Sequence, residues 1–133
     1  MEREFKRDIE SLEQVFEFLH RFMHEHQVGS KTTHDMDLVV EELFTNMVKY
    51  NAGAREDIVI RIQKSSNVLS IVLTDPNSER FDITKVVGAP LDLPLRQREP
   101  GGLGIHLVQR LTDSFQYEHA EGASTITVTK RLE

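Results

Sequence analysis

Cysteine is absent from these 133 residues, which excludes disulfides and cysteine-ligated metals. Long apolar runs are absent too: no stretch approaches the roughly 20 consecutive apolar residues of a membrane helix. The opening MEREFKRDIE lacks the apolar centre of a signal peptide. A cytoplasmic location without a membrane partner is therefore expected. Basic residues are outnumbered, 16 Lys and Arg against 22 Asp and Glu, giving a formal charge of −6. A sequence-independent grip on nucleic acid needs a broad basic surface, so direct nucleic-acid binding is not expected. A single nucleotide needs only a local positive site, such as a helix N-terminus. What is present is an apolar fraction of 38% in a length ordinary for one domain. Residues 1–133 are read as one domain around one core.

Periodicity supplies the elements. Residues 3–7 read as a short strand or lead-in. From Ile9, the residues Leu12, Phe16, Leu19 and Met23 recur at helical spacing, with the start at Asp8 or in a capping box from Ser11 to Gln14. Val28, Gly29 and Ser30 are expected to close this helix. Met36, Val39, Val40, Leu43, Met47 and Tyr50 predict a second helix over 33–50, ended by Asn51, Ala52 and Gly53. Alternation over 58–62 and 68–73, joined at 65–67, predicts a hairpin. Residues 74–104 hold all four prolines and four of the seven glycines. That is too long for a plain connection and reads as a functional loop. A short helix carrying Ile105, Leu107, Val108 and Leu111 follows. A closing hairpin over 115–119 and 125–129 turns at Glu121 and Gly122. This order predicts an α+β sandwich rather than a repeating βαβ fold.

Four features carry chemistry. Glu42 and Asn46 stand four apart on the second helix and so share a face. An amide oxygen suits a hard cation such as Mg²⁺, and a carboxylate can draw a proton from a hydroxyl. The same pair also fits a solvated helix face. Asp75 ends an apolar strand before Pro76, where it can accept from an amine or simply start a turn. Gly101, Gly102 and Gly104, with Leu103 among them, precede a helix and expose backbone N–H groups suited to a phosphate. Gly122 to Thr125 forms a hairpin turn.

In this order the four features resemble the nucleotide-site motifs of the GHKL (histidine-kinase-like) ATPase superfamily. They are most similar to its small stand-alone branch, the bacterial anti-sigma factor serine/threonine kinases. The stretches that carry the resemblance are Glu42-Leu43-Phe44-Thr45-Asn46 and the turn from Gly101 to Val108. The resemblance implies a two-layer Bergerat-type sandwich, with a mixed, mostly antiparallel sheet and helices on one face. It implies ATP and Mg²⁺, with Glu42 as general base, Asn46 as Mg²⁺ ligand and Lys49 as a phosphate contact. Asp75 would read adenine, Gly101, Gly102, Leu103 and Gly104 would line the phosphates, and Thr125 would complete the adenine pocket. Arg96 and Arg98 would belong to a lid over the γ-phosphate. The implied function is phosphorylation of a small anti-anti-sigma (STAS-type) antagonist protein and sequestration of a sigma factor, with a homodimer as the family's habit.

Two positions depart from the pattern. Asn77 stands where a glycine usually follows the Asp by two, and Tyr50 where a histidine often follows the Asn by four. A switch protein of the same fold that acts only by binding a partner stays open beside the kinase reading. His20 and His24 have helical spacing, but no third ligand is in sight, and a polar helix face is the expectation there.

Overall fold

The computed structural model describes residues 1–50, 55–76 and 102–132. The chain runs β1 (Glu2–Phe5), a 3-10 turn (Ile9–Ser11), α1 (Leu12–Glu25), α2 (Ser30–Tyr50), β2 (Ile58–Ser65), β3 (Val68–Asp75), α3 (Gly102–Leu111), β4 (Ser114–Ala120) and β5 (Ala123–Arg131). Of the two starts offered by the sequence, Asp8 caps the 3-10 turn that leads in, and α1 itself begins at Leu12, behind Ser11. The extended backbone of Asp8 lets its carboxylate accept the Glu10 N–H at 3.0 Å, while Ser11 makes no capping bond.

The end of α1 differs from expectation. The left-handed residue is Gln27, at φ 55°, and not Gly29. The Gln27 N–H donates to the His24 carbonyl and the Val28 N–H to the Met23 carbonyl, satisfying the last carbonyls of the helix. Val28 then packs against the core. Gly29 instead serves α2, its carbonyl accepting both the backbone N–H and the hydroxyl of Thr33. This starts α2 at Ser30, three residues before the expected start at residue 33.

The five strands lie in the order β1-β2-β3-β5-β4. Every pairing among the described residues is antiparallel, in keeping with the mixed, mostly antiparallel sheet that the resemblance implied. The β2–β3 hairpin turns through Ser66 at φ 55°. The β4–β5 hairpin turns through Glu121 and Gly122, both at positive φ, which is the hairpin geometry that matches strand twist. The last strand enters beside β3 and leaves β4 at the edge.

One face of the sheet is buried. Ile58, Ile60 and Ile62 of β2, Leu69, Ile71 and Leu73 of β3, and Ile126 and Val128 of β5 point to it. Against them lie Val15, Leu19, Phe22 and Met23 of α1, Met36, Val39, Val40, Leu43, Phe44 and Met47 of α2, and Val108 of α3. The alternate residues, Val72, Thr74, Thr125, Thr127 and Thr129 among them, face away and are only half-buried. The α+β, two-layer expectation therefore holds, with helices on one face.

Candidate functional site

The core stripe on the sheet does not end in an apolar residue. On β3 the inward positions run Leu69, Ile71, Leu73 and then Asp75, which is only 2% exposed. On β5 they run Val128, Ile126 and then Ser124, also buried, and Asp75 and Ser124 are direct partners in the β3–β5 register. The Ser124 hydroxyl lies 3.1 Å from the Tyr117 hydroxyl of β4. A carboxylate taken out of water needs a cation or several donors.

Asp75 finds that cation in Arg7, in the turn between β1 and α1. Arg7 Nη1 donates to Asp75 Oδ2 at 2.8 Å and Nη2 to Oδ1 at 2.5 Å. Both side chains are 3% exposed. Arg7 Nη1 also reaches the Met47 carbonyl of α2 at 3.3 Å. One guanidinium thus ties the end of β3 to the turn of α2 that carries Asn46.

On α2, Asn46 is buried, not solvated, and its Nδ2 donates to Glu42 Oε1 at 3.3 Å. Committing Nδ2 to Glu42 leaves the amide oxygen as the atom for an outside ligand. Glu42 is half-buried. Burial raises its carboxyl above the ordinary glutamate range, a push that the Asn46 hydrogen bond and the Lys49 charge partly offset and the neighbouring Glu41 charge reinforces. A carboxylate moved towards neutral pH is the type a general base requires. Together Glu42 and Asn46 offer only oxygen ligands, the donor set that fits Mg²⁺.

α3 packs against α2. It begins at Gly102, so the backbone N–H groups of Gly102, Leu103 and Gly104 belong to its first turn and have no partner within the helix. Val108 anchors the helix in the core. Gly101, Asn77, Arg96 and Arg98 lie outside the described residues. Lys49 is exposed, one turn beyond Asn46.

Thr125 is a correction. It pairs with Thr74 and shares the outer face of the sheet with Thr127 and Thr129, so its side chain points away from Asp75. The hydroxyl beside Asp75 is that of Ser124. Strand parity carried the signal: with Ile126 and Val128 inward, Ser124 is inward and Thr125 is not. Arg7 was also missed, and nothing local marks it, because 68 residues separate it from Asp75. His20 of α1 meets Asp37 of α2 at 2.7 Å, and no group of three metal-ligating side chains exists among the described residues. No helix of the described residues is long and apolar enough to cross a membrane.

Comparison with known proteins bears on this arrangement. The chain is 31% identical over 106 residues to the serine-protein kinase RsbW of Bacillus cereus (strain AH820), covering 74% of this chain. It spans only 64% of that relative's length. Its fold matches the RsbU and RsbW domains of a Mycobacterium tuberculosis protein with a TM-score of 0.72 at 15% identity, over 99% of this chain and 32% of the other. It also matches the SiaB–SiaC complex of Pseudomonas aeruginosa with a TM-score of 0.67 at 14% identity, over 97% of this chain and 88% of the other. The family description "histidine kinase-like ATPase domain" matches residues 5–130, from the last residue of β1 almost to the end of β5. The chain therefore belongs to the histidine kinase-like ATPase domain family.

Proposed function

We propose that this chain is an ATP-dependent serine/threonine protein kinase of the anti-sigma regulatory type. Its substrate would be a hydroxyl on a small anti-anti-sigma (STAS-type) antagonist protein, and in the antagonist's absence it would sequester a sigma factor. The observation that carries this reading is the pairing of half-buried Glu42 with buried Asn46, in which the acid is pushed up by burial and held by the amide beside it. An exposed structural pair needs neither property. Phosphoryl transfer asks the protein mainly for positioning and charge neutralisation. Glu42 would accept the proton of the attacking hydroxyl, the Asn46 amide oxygen would hold Mg²⁺, and the first turn of α3 would offer N–H groups to the phosphates. Mg²⁺, when bound, neutralises charge on the phosphates. The similar RsbW is a serine-protein kinase, and SiaB is seen in a complex with another protein. Both support a protein as the substrate. Sigma-factor sequestration and homodimer formation belong to the same proposal.

The test is transfer from radiolabelled ATP to antagonist proteins encoded near this chain. Glu42→Gln should lower transfer by about 10²–10⁴-fold, the usual worth of a general base, while ATP binding stays within about threefold. Equal transfer by Glu42→Gln would remove the assignment.

One observation favours a second reading, a switch that only binds a partner: both oxygens of Asp75 already hold a guanidinium N–H. Titration calorimetry with ATP and Mg²⁺ separates the two, since absent binding heat leaves only the switch.

A further inference from the structure

The inward stripe of the sheet has two ends, and they carry opposite charge. At one end it closes in Asp75, which Arg7 neutralises. At the other it closes in lysines. On β2 the inward positions run Ile58, Ile60, Ile62 and then Lys64, and on β5 they run Ile126, Val128 and then Lys130. The register sets both lysines beside the buried Leu69 of β3, in a row Lys64–Leu69–Lys130. Neighbouring strands lie about 4.8 Å apart, so the two side chains leave the same face roughly 10 Å from each other. Among the described residues neither ammonium has an ion-pair partner.

A cavity of about 440 Å³ opens at this end of the sheet, and Lys64 lines it together with His26, Val28, Thr32, Asn67 and Leu132. Val28 and Leu132 also pack on the core, so part of the wall is apolar. The His26 ring is held by stacking on Phe22, with centres 4.0 Å apart. No Asp or Glu lines the cavity, and the first turn of α2 carries none, in a chain with 22 acids and a formal charge of −6. Strand-end lysines lift their ammonium groups to water over apolar stems, which accounts for one such residue. It does not call for two in one row beside a cavity without acids, where like charges repel with nothing to offset them.

We propose that this end of the sheet is a docking surface for an acidic segment of a protein partner. An apolar side chain of the segment enters between Val28 and Leu132, and carboxylates beside it meet Lys64 and Lys130. Charge complementarity selects this occupant, because most of the chain repels an acidic segment and this surface attracts one. Leu69 and Asp75 stand six residues apart on β3, so about 20 Å separate the surface from the Asp75 end, which a docked partner leaves open. The proposal does not depend on phosphoryl transfer and applies equally to a switch that only binds.

The probe is a fluorescein-labelled decapeptide alternating Glu and Leu, read by anisotropy against the full chain at low salt. A decapeptide alternating Glu and Ser has the same charge without the apolar side chains. The Glu–Leu peptide should bind, and the Glu–Ser peptide should bind about tenfold more weakly, since burial of its side chains gains little. Lys64→Glu and Lys130→Glu should each weaken binding of the Glu–Leu peptide by about three- to tenfold. Arg61→Glu makes the same charge change on the outer face of the sheet and should stay within about twofold, because screening confines the effect to nearby charges. Thermal unfolding is recorded for every variant. If a lysine-to-glutamate variant does not fold, Lys64→Gln and Lys130→Gln decide, each with a loss of about two- to threefold. A Glu–Leu peptide that does not bind overturns the proposal. Equal losses in Arg61→Glu and the lysine variants overturn it too, because net charge then acts without a site. Equal binding of the two peptides does the same, leaving a solvated basic rim.

Discussion

Two parts of the same buried layer obey the same strand period and opposite chemistry. Through Leu69, Ile71 and Leu73, and through Ile126 and Val128, the inward stripe is apolar. One step further along the same parity it becomes Asp75 and Ser124, met by Arg7 from the β1–α1 turn and lying near the α2 turn of Asn46 and Met47. The apolar part gains roughly 25 cal/mol for each Å² removed from water, in small and nearly interchangeable increments. The polar part is close to all-or-none, since removing one member leaves another buried and unpaired. Burial is thus set by backbone period, while the residue placed at the end of the stripe decides whether that burial is packing or a site.

The sharpest way to break this contrast is Arg7→Ala. It should cost about 3–5 kcal/mol in urea unfolding, because the buried Asp75 carboxylate loses its cation. Replacing both partners with apolar residues, Arg7→Met with Asp75→Leu, should recover most of that loss and abolish ATP binding. Failure to recover would mean that the pair is kept for stability. In the apolar part, Ile71→Val should cost only about 0.5–1.5 kcal/mol and leave ATP affinity within about threefold of the unsubstituted protein's.

A smaller effect, dependent on pH, is expected at Glu42. Its carboxyl is raised by burial, so its contribution to stability is fully present below the ordinary glutamate range and is lost as pH rises through the folded-state value. Glu42→Gln should therefore unfold at a higher temperature than the unsubstituted protein at neutral pH, with the gap closing on acidification. A gap that widens on acidification would contradict the burial argument. The smallest effect lies far from the site. Gln27→Gly should stabilise the chain by about 0.5 kcal/mol, since relief of the left-handed backbone slightly exceeds the added freedom of glycine in the unfolded chain.

Much of this was legible in the sequence. The helical stripe of 36–47, both hairpins and the turn at Glu121 and Gly122 follow from period and turn chemistry, and the structure reproduces them. Glu42 and Asn46 were legible as neighbours, but not as buried, because four-residue spacing states a shared face without saying which way it looks. Gly29 was the plausible helix terminator by residue type. Gln27 took that role because the cap must fall where Val28 can reach the core. Ser124 was readable by parity and was passed over for Thr125, whose hydroxyl looks equally suitable in a list of residues but sits on the other face of β5.

The sequence by itself determined where the strands and helices lie, which residues fill the apolar stripe, and that an acid and an amide share one turn of α2. These follow from backbone periods of 2 and 3.6, which act over a few residues and need no partner. Only the tertiary structure decided that the stripe ends in a closed polar cluster and that Arg7 is the cation Asp75 meets. It also decided that β5 enters beside β3, so that Ser124 faces Asp75. A buried charge accepts whichever cation the topology delivers to it. That delivery depends on chain segments far apart in sequence, which no local pattern encodes.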